Sequence, residues 1–332
     1  MNSLVKSFKD IQDLPYIPRQ TGSGFCDLAL EGGGTKLIGH VGAYAALTAR
    51  GFTLSHAAGT SGGSIVAAAA VAGYTPAELR RLVMGIDFNK FLDGSKWTKY
   101  WRVLSNYGLY RGDAFYQFMK QILADKGVYT FKDLLSHNQE EHDNPKYRWR
   151  LKVVASDISN GRMIVLPNDA ALYGQNPDDM EVALAVRMSM SIPLFFEPVK
   201  FEDSYMVDGG VLSNFPISIW DSDGVPDWPT FGLLLKEEGV SSQHEIEGPF
   251  SMLKAIISTM LEAHDKRFVR PMDYQYRTIP IPTGKISPIN FSLTAIEKER
   301  LYHAGYMAAI NFLNNWEWED YRNWAVSVRT GT

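Results

Sequence analysis

Ala57-Ala58-Gly59-Thr60-Ser61-Gly62-Gly63-Ser64-Ile65-Val66-Ala67 sets a serine among glycines directly ahead of an alanine-rich apolar run, Ile65 to Ala72. Residues 59–63 read Gly-x-Ser-x-Gly. The pattern predicts a tight turn that opens into a buried helix and holds the Ser61 side chain outward at the helix N-terminus. Gly59 and Gly63 leave room for sharp backbone angles and for close approach of a substrate or a neighbouring strand. A serine so presented is a candidate acyl-transfer nucleophile. The same residues would serve an ordinary turn, so the chemistry has to be argued from what surrounds them.

Upstream, Phe25 to Leu30 is a short apolar run interrupted by Asp27, and it predicts a buried strand. Glu31-Gly32-Gly33-Gly34-Thr35-Lys36 follows, then a helical stretch from Leu37 to Arg50 with Gly51 as its cap. His56 to Gly59 leads into the serine turn. The order is strand, glycine loop, helix, strand, serine turn, helix. That alternation predicts an α/β fold with a mostly parallel central sheet between helical layers.

The bulk numbers narrow the function classes. With 332 residues, 45% of them hydrophobic, the chain can build one large core. A formal charge of -4 gives no long-range pull toward nucleic acid, so no nucleic-acid substrate is expected. The single cysteine, Cys26, excludes an internal disulfide and any multi-cysteine metal site, and is read as a small buried side chain. Met1 to Gln20 shows no secretory h-region, and no stretch of 18 or so uncharged apolar residues suggests a spanning helix. The expected location is cytoplasmic, with export by a route lacking a cleaved signal left open.

Further along, Thr75-Pro76-Ala77-Glu78 is a capping box that should start a helix running to about Met84. Between 86 and 112, Phe88, Phe91, Trp97, Tyr100, Trp101, Tyr107 and Tyr110 interleave with Lys90, Lys96, Lys99 and Arg102. Two readings compete: an irregular segment anchored by large rings, or a lipid-facing rim. Helices are expected from Asp113 to Asp125, briefly after Thr130, from Val182 to Met190, from Phe250 to about Ala263, and from Thr294 to about Trp316. The last should bury Ile296, Leu301, Ala304, Ala308 and Phe312. Strands are expected at 150–156, 162–166, 231–235 and 276–281, and Leu194 to Val199 and Tyr205 to Val207 should flank a tight connection. Residues 136–148 read as a polar surface loop and 236–248 as a mobile one. Trp316, Trp318, Tyr321 and Trp324 suggest a terminal clasp or a partner surface. Residues 1–24 read as a lead-in, 25–212 as the catalytic core, and 213–332 as the remainder of the same domain.

Three glycine-marked sites need a joint explanation: Gly32-Gly33-Gly34, the serine turn, and Asp208-Gly209-Gly210. The first offers backbone N–H groups for a developing oxyanion, the second an oxygen nucleophile, the third a carboxylate in a tight turn. In that order, each after a predicted strand, they resemble the patatin-like phospholipase family of serine acyl hydrolases. Arg187-Met188-Ser189-Met190-Ser191-Ile192-Pro193 and the following Leu194-Phe195-Phe196-Glu197-Pro198-Val199 are similar to that family's serine- and proline-containing stretch. The resemblance covers about residues 25–212. It implies a patatin-like three-layer sandwich, a Ser61–Asp208 dyad, and an oxyanion hole from Gly33 and Gly34. Gly32, Lys36, Gly59, Gly63, Gly209 and Arg187 are implied supports, and no cofactor or metal is implied. The family usually carries a glycine directly after its basic residue, where this chain has Leu37.

The implied substrates are phospholipids or other lipid esters met by transient contact with a membrane surface. Two rivals stand beside a constitutive lipase. One is an effector-type enzyme gated by a protein or small-molecule activator; the other is a non-catalytic binding domain of the same fold. The seven histidines offer no better base. His40, near the glycine loop, reads as a structural hydrogen-bonding group, and His56 as readily as a surface group. Glu31 reads as a brace for the loop rather than a reacting group. For Arg187, an ion pair with Asp178 or Glu197 competes with a role in headgroup binding. Gly32-Gly33-Gly34-Thr35-Lys36 lacks the full phosphate-loop spacing, which argues against a nucleoside triphosphatase.

Overall fold

The structure is a computed structural model that describes residues 24–94, 103, 105–221, 224–237, 246, 248, 252, 255, 259 and 275–330. Trp97, Tyr100, Trp101, Lys96, Lys99 and Arg102, most of the expected 236–248 loop and most of the expected 250–263 helix lie outside these residues.

Among the described residues, eight strands form one sheet. Its strands are β1 (Phe25–Leu30), β2 (Thr53–Thr60), β4 (Leu151–Asp157), β5 (Arg162–Leu166), β7 (Val199–Phe201), β8 (Ser204–Asp208), β9 (Thr230–Glu237) and β10 (Thr278–Gly284). β3 (Gly108–Tyr110) and β6 (Leu194–Phe196) form a separate parallel pair. The main order is β10-β9-β1-β2-β4-β8-β7, with β5 also on β4. From β10 to β4 every pairing is parallel; β5, β7 and β8 pair antiparallel. Parallel strands covered by helices on both faces have no wet side, so they read as unbroken apolar runs. β9 does so from Phe231 to Leu235, all of them buried.

Among the described residues the α-helices are α1 (Ile38–Ala49), α2 (Gly62–Val71), α3 (Pro76–Gly85), α4 (Asp113–Ala124), α5 (Val182–Ser189), α6 (Ala295–Leu313) and α7 (Trp318–Thr330). This is the expected α/β sandwich. α2 is buried at every residue, because its small side chains let it press against β2 and β4. The capping boxes at Thr75/Glu78 and Thr294/Glu297 form as predicted, each satisfying two otherwise orphaned N–H groups.

α6 buries Leu301 and packs Ala308 and Phe312 on the core as expected, but its face is rotated away from Ile296. Ile296 is 72% exposed, while Leu301, Tyr302, Gly305, Tyr306, Ala309 and Ile310 face inward. A Cβ on Gly305 would lie 1.9 Å from the Gly39 carbonyl oxygen, and one on Gly42 2.0 Å from that of Tyr302. α1 and α6 therefore touch backbone to backbone, and this notch fixes the face. The run Leu194 to Val199 also divides. Pro198 supplies no N–H to a ladder, so β6 stops before it and joins β3, while β7 starts after it and pairs with β8.

Large rings anchor the described part of the 86–112 segment. Phe88 and Phe91 are buried and Tyr110 packs on Phe195, whereas Tyr107 is exposed. At the far end Tyr321 and Trp324 are buried and packed with Trp316 and Trp318. The Tyr321 hydroxyl accepts from the Thr230 N–H at the start of β9. The aromatic terminus is thus a clasp on the sheet. No described helix is long and apolar enough to cross a membrane.

Candidate active site

The register of β4 brings two distant motifs together. β2 runs beside β4 up to the pair Thr60–Val154, and β8 begins beside it at Ala155–Asp208. β5 fills the opposite edge of β4 through both positions. β2 and β8 therefore share one edge of β4, end to end. The residue after β2 is Ser61 and the last residue of β8 is Asp208, so both side chains arrive at one junction.

Ser61 itself sits at φ 50°, ψ −127°, outside the regions a side chain prefers. Such strain persists only where surroundings over-determine it. Here the turn is gripped by crossings too close for side chains. A Cβ on Gly59 would stand 2.5 Å from Gly63 atoms, one on Gly63 2.5 Å from the carbonyls of Leu30 and Glu31, and one on Gly62 2.5 Å from the Gly34 carbonyl. The serine elbow and the glycine loop are thus packed backbone on backbone.

Two of the loop's N–H groups are committed and two are not. Gly32 donates to the Asn214 carbonyl and Thr35 to that of Pro288, each at 2.9 Å. Among the described residues, the N–H groups of Gly33 and Gly34 have no protein acceptor. Gly34 has φ +52°, and a Cβ there would fall 1.9 Å from the Pro288 carbonyl oxygen. A Cβ on Gly32 would come within 3.1 Å of Ser61 Cβ, so the loop lies directly against the serine. Glu31 is buried; its carboxylate accepts from the Leu235 N–H and from Asn214 Nδ2 at 3.2 Å, bracing the loop as expected. His40 Nε2 lies 2.9 Å from the Glu31 carbonyl, and burial pushes the imidazole pKa down to about 4, so it is neutral and structural. Lys36 pairs with Glu237 at 2.8 Å.

Asp208 is fully enclosed. Burial raises its pKa to about 7; the Ser61 hydroxyl and the Gly210 N–H, at 2.8 Å from Oδ1, pull it back less. Oδ2 meets no donor at full hydrogen-bonding geometry. The Ser61 hydroxyl is therefore near enough to influence Asp208, while its best-directed bond goes to Met190 Sδ at 3.4 Å. A thioether is a weak acceptor, so little holds the hydroxyl there. A Cβ on Gly209 would lie 2.4 Å from the Val154 carbonyl oxygen, which explains a glycine beside the carboxylate. No described histidine bonds to Ser61 or Asp208.

A model of the patatin-like phospholipase family matches residues 28–220. The chain belongs to that family. It is 37% identical over 307 residues to the Bacillus subtilis protein YqhO, described as uncharacterized, covering 88% of this chain and 99% of that one. It is 25% identical over 207 residues to a probable lipid hydrolase, 463L, of Invertebrate iridescent virus 6, covering 58% of this chain and 62% of that one. The crystal structure of VipD from Legionella pneumophila shares the fold, with a TM-score of 0.54 at 18% identity, over 90% of this chain and 67% of that one.

Several features of this patatin-like core correct or extend the sequence reading. Arg187 makes neither expected carboxylate bond. Its guanidinium binds Ser191 Oγ and the Arg111 carbonyl at 2.5 Å and the Glu197 carbonyl at 2.9 Å, while Asp178 is held by Arg148 and Trp149. It clamps the turn after α5 to the β3–β6 pair. His56 is fully buried, not at the surface, with Asp27 accepting from its ring and its N–H. Leu37, where the family usually has glycine, is buried and lines an apolar slot with Ile65, Phe115, Met190, Phe196 and Phe291. The slot encloses about 10 Å³. Asn214 and Pro288, which pin the glycine loop, carry no motif of their own, and Met190, against the serine, lies inside the serine- and proline-containing stretch without being singled out by it. Asn214 had only its nearness to Asp208-Gly209-Gly210 as a signal.

Proposed function

We propose that the protein is a lipid acyl hydrolase of the phospholipase A or lysophospholipase type, working through an acyl-Ser61 intermediate. The observation that carries this reading is the junction on β4, where a strained serine and a buried carboxylate lie beside two uncommitted amides. In the proposed cycle Asp208 takes the Ser61 proton as Oγ attacks the ester carbonyl. The Gly33 and Gly34 N–H groups hold the oxyanion, a term worth on the order of 3 kcal/mol per donor. The protonated Asp208 then gives its proton to the leaving alcohol. Water, deprotonated by Asp208, attacks the acyl-enzyme; fatty acid departs and Ser61 regains its proton. A carboxylate whose pKa is raised by burial suits this base role near neutral pH.

The apolar slot beside Ser61 supports an acyl chain as the bound group. A bilayer ester implies peripheral contact with a membrane surface. The size of the slot favours gated over constitutive hydrolysis, because about 10 Å³ is roughly the room one water needs. On this reading an activating protein or small molecule, or the membrane itself, opens the slot around Phe291 and Phe196. Fatty-acid release from phosphatidylcholine vesicles, read by mass spectrometry for wild type and Ser61→Ala, tests the proposal. Release by wild type alone is expected, rising steeply when cell extract is added. Equal release by both proteins would refute it, and strong turnover of a soluble ester with neither vesicles nor extract present would refute the gating.

A further inference from the structure

The short segment Ser189-Met190-Ser191 touches both proposed reacting residues, at the point where β2 gives way to β8. Ser189 is fully buried. Its Oγ accepts from the Ser61 N–H at 2.8 Å and donates to the Val154 carbonyl at 2.6 Å. Val154 is the last residue of β4 paired with β2, so this hydroxyl spans the gap in the ladder. Two residues on, the Ser191 carbonyl accepts from the Asp208 N–H at 2.9 Å. Arg187 holds the register of the segment by donating to Ser191 Oγ, which itself donates to the Arg187 carbonyl at 2.8 Å.

We infer that Ser189 is a positioning residue: its hydroxyl fixes the Ser61 backbone in its strained conformation and thereby sets the nucleophile's place relative to Asp208. This deepens the proposed function and rests on it. The physical argument is one of alternatives. At φ 50° a serine residue would relax toward the common basins if released. Ser61 N–H and the Val154 carbonyl are both enclosed, and Ser189 is the group that satisfies them together. Removing it leaves a donor and an acceptor unpaired at once, which favours any backbone shift that finds them new partners. Such a shift moves Oγ relative to Asp208 and to the Gly33 and Gly34 amides, without touching the slot that would bind substrate. The bond also commits the Ser61 amide, so the oxyanion donors must come from elsewhere.

The test uses Ser189→Ala and Ser189→Thr in the full chain, with turnover of a soluble ester and hydrogen exchange at the Ser61 amide. Ser189→Ala is expected to lower kcat on the order of 10- to 100-fold with KM unchanged and to speed exchange at Ser61. Ser189→Thr keeps the hydroxyl and should recover both. If the alanine variant does not fold, Ser189→Cys replaces it, since a thiol is a weak donor and acceptor, and an intermediate kcat with faster exchange is expected. Wild-type kcat or unchanged Ser61 exchange in a folded Ser189→Ala would overturn the inference. So would a threonine variant that folds yet behaves like alanine. Failure of the hydrolase reading looks different: Ser61→Ala would keep full turnover, while exchange at Ser61 would still decide the part played by Ser189.

Discussion

Two carboxylates lie on the same sheet, each about 3% exposed, and they are treated in opposite ways. Asp27, near the start of β1, is held by one neighbour: its Oδ1 accepts from the His56 N–H at 3.1 Å and stands 3.2 Å from His56 Nδ1. Asp208, at the end of β8, takes one backbone donor on Oδ1 and leaves Oδ2 without a well-directed one beside a serine hydroxyl. Equal burial therefore does not make equal chemistry. A carboxylate bound to a neighbouring amide and imidazole is a strut, and one left short of donors in a closed site can accept a proton. The surrounding backbone follows the same division. The Asp27 end is packed with the rings of Tyr147, Trp220 and Trp228 around His56, whereas the Asp208 end is built from glycines and a strained serine.

The sharpest way to break this contrast is to neutralise each acid in turn. Ser61→Ala and Asp208→Asn should each lower ester turnover by about 10³-fold or more, with circular dichroism unchanged. Asp27→Asn should leave kcat near wild type while costing on the order of 1–3 kcal/mol of stability in denaturant melts. Loss of turnover in a folded Asp27→Asn would show that the strut also does chemistry.

Next in size is Gly34→Ala. The added methyl meets the Pro288 carbonyl at a positive φ, so the loop must move and carry its amides with it. A loss of about 10²–10³-fold in kcat is expected, together with a lower Tm. An unaffected kcat would take Gly34 out of the oxyanion hole.

The pH dependence tests the raised pKa of Asp208. As a base it must be ionised, so kcat/KM should fall about tenfold per unit below a midpoint near 7 and level above it. The stability consequence has a definite sign. The folded carboxyl holds its proton to about 7 and the unfolded one only to about 4, so stability falls as pH rises between those values and is level above 7. Asp208→Asn removes that penalty, which is at most about 4 kcal/mol. The variant should therefore gain most in Tm over wild type at pH 8 and least at pH 4, as scanning calorimetry can read. The smallest effect is expected for Glu237→Gln. Its carboxylate pairs with Lys36 but is 52% exposed, so solvent screening limits the loss to about 1 kcal/mol or less.

How much of this was legible depends on how local each feature is. The serine elbow, the glycine loop and the capping boxes are written in adjacent residues, and the structure forms them where the sequence indicates. Asp208 stood out through its glycines and the family resemblance. That it reaches Ser61 depends on two registers along β4, which no local pattern encodes. The partners of Arg187 were misread because a guanidinium can be satisfied by carbonyls, and carbonyls leave no trace in a sequence. Ile296 falls outside the buried face of α6 because Gly305, not an apolar side chain, sets how close α1 comes. The sequence leaves His56 open between a structural and a surface group because its partner Asp27 sits on a strand reached only through β1–β2 pairing.

The most direct measurement is fluorophosphonate labelling followed by peptide mapping, in wild type, Ser61→Ala and Asp208→Asn. The account predicts a single adduct on Ser61, none at that peptide in Ser61→Ala, and a much slower adduct in Asp208→Asn. An adduct on another residue, or labelling of Asp208→Asn at the wild-type rate, would contradict it.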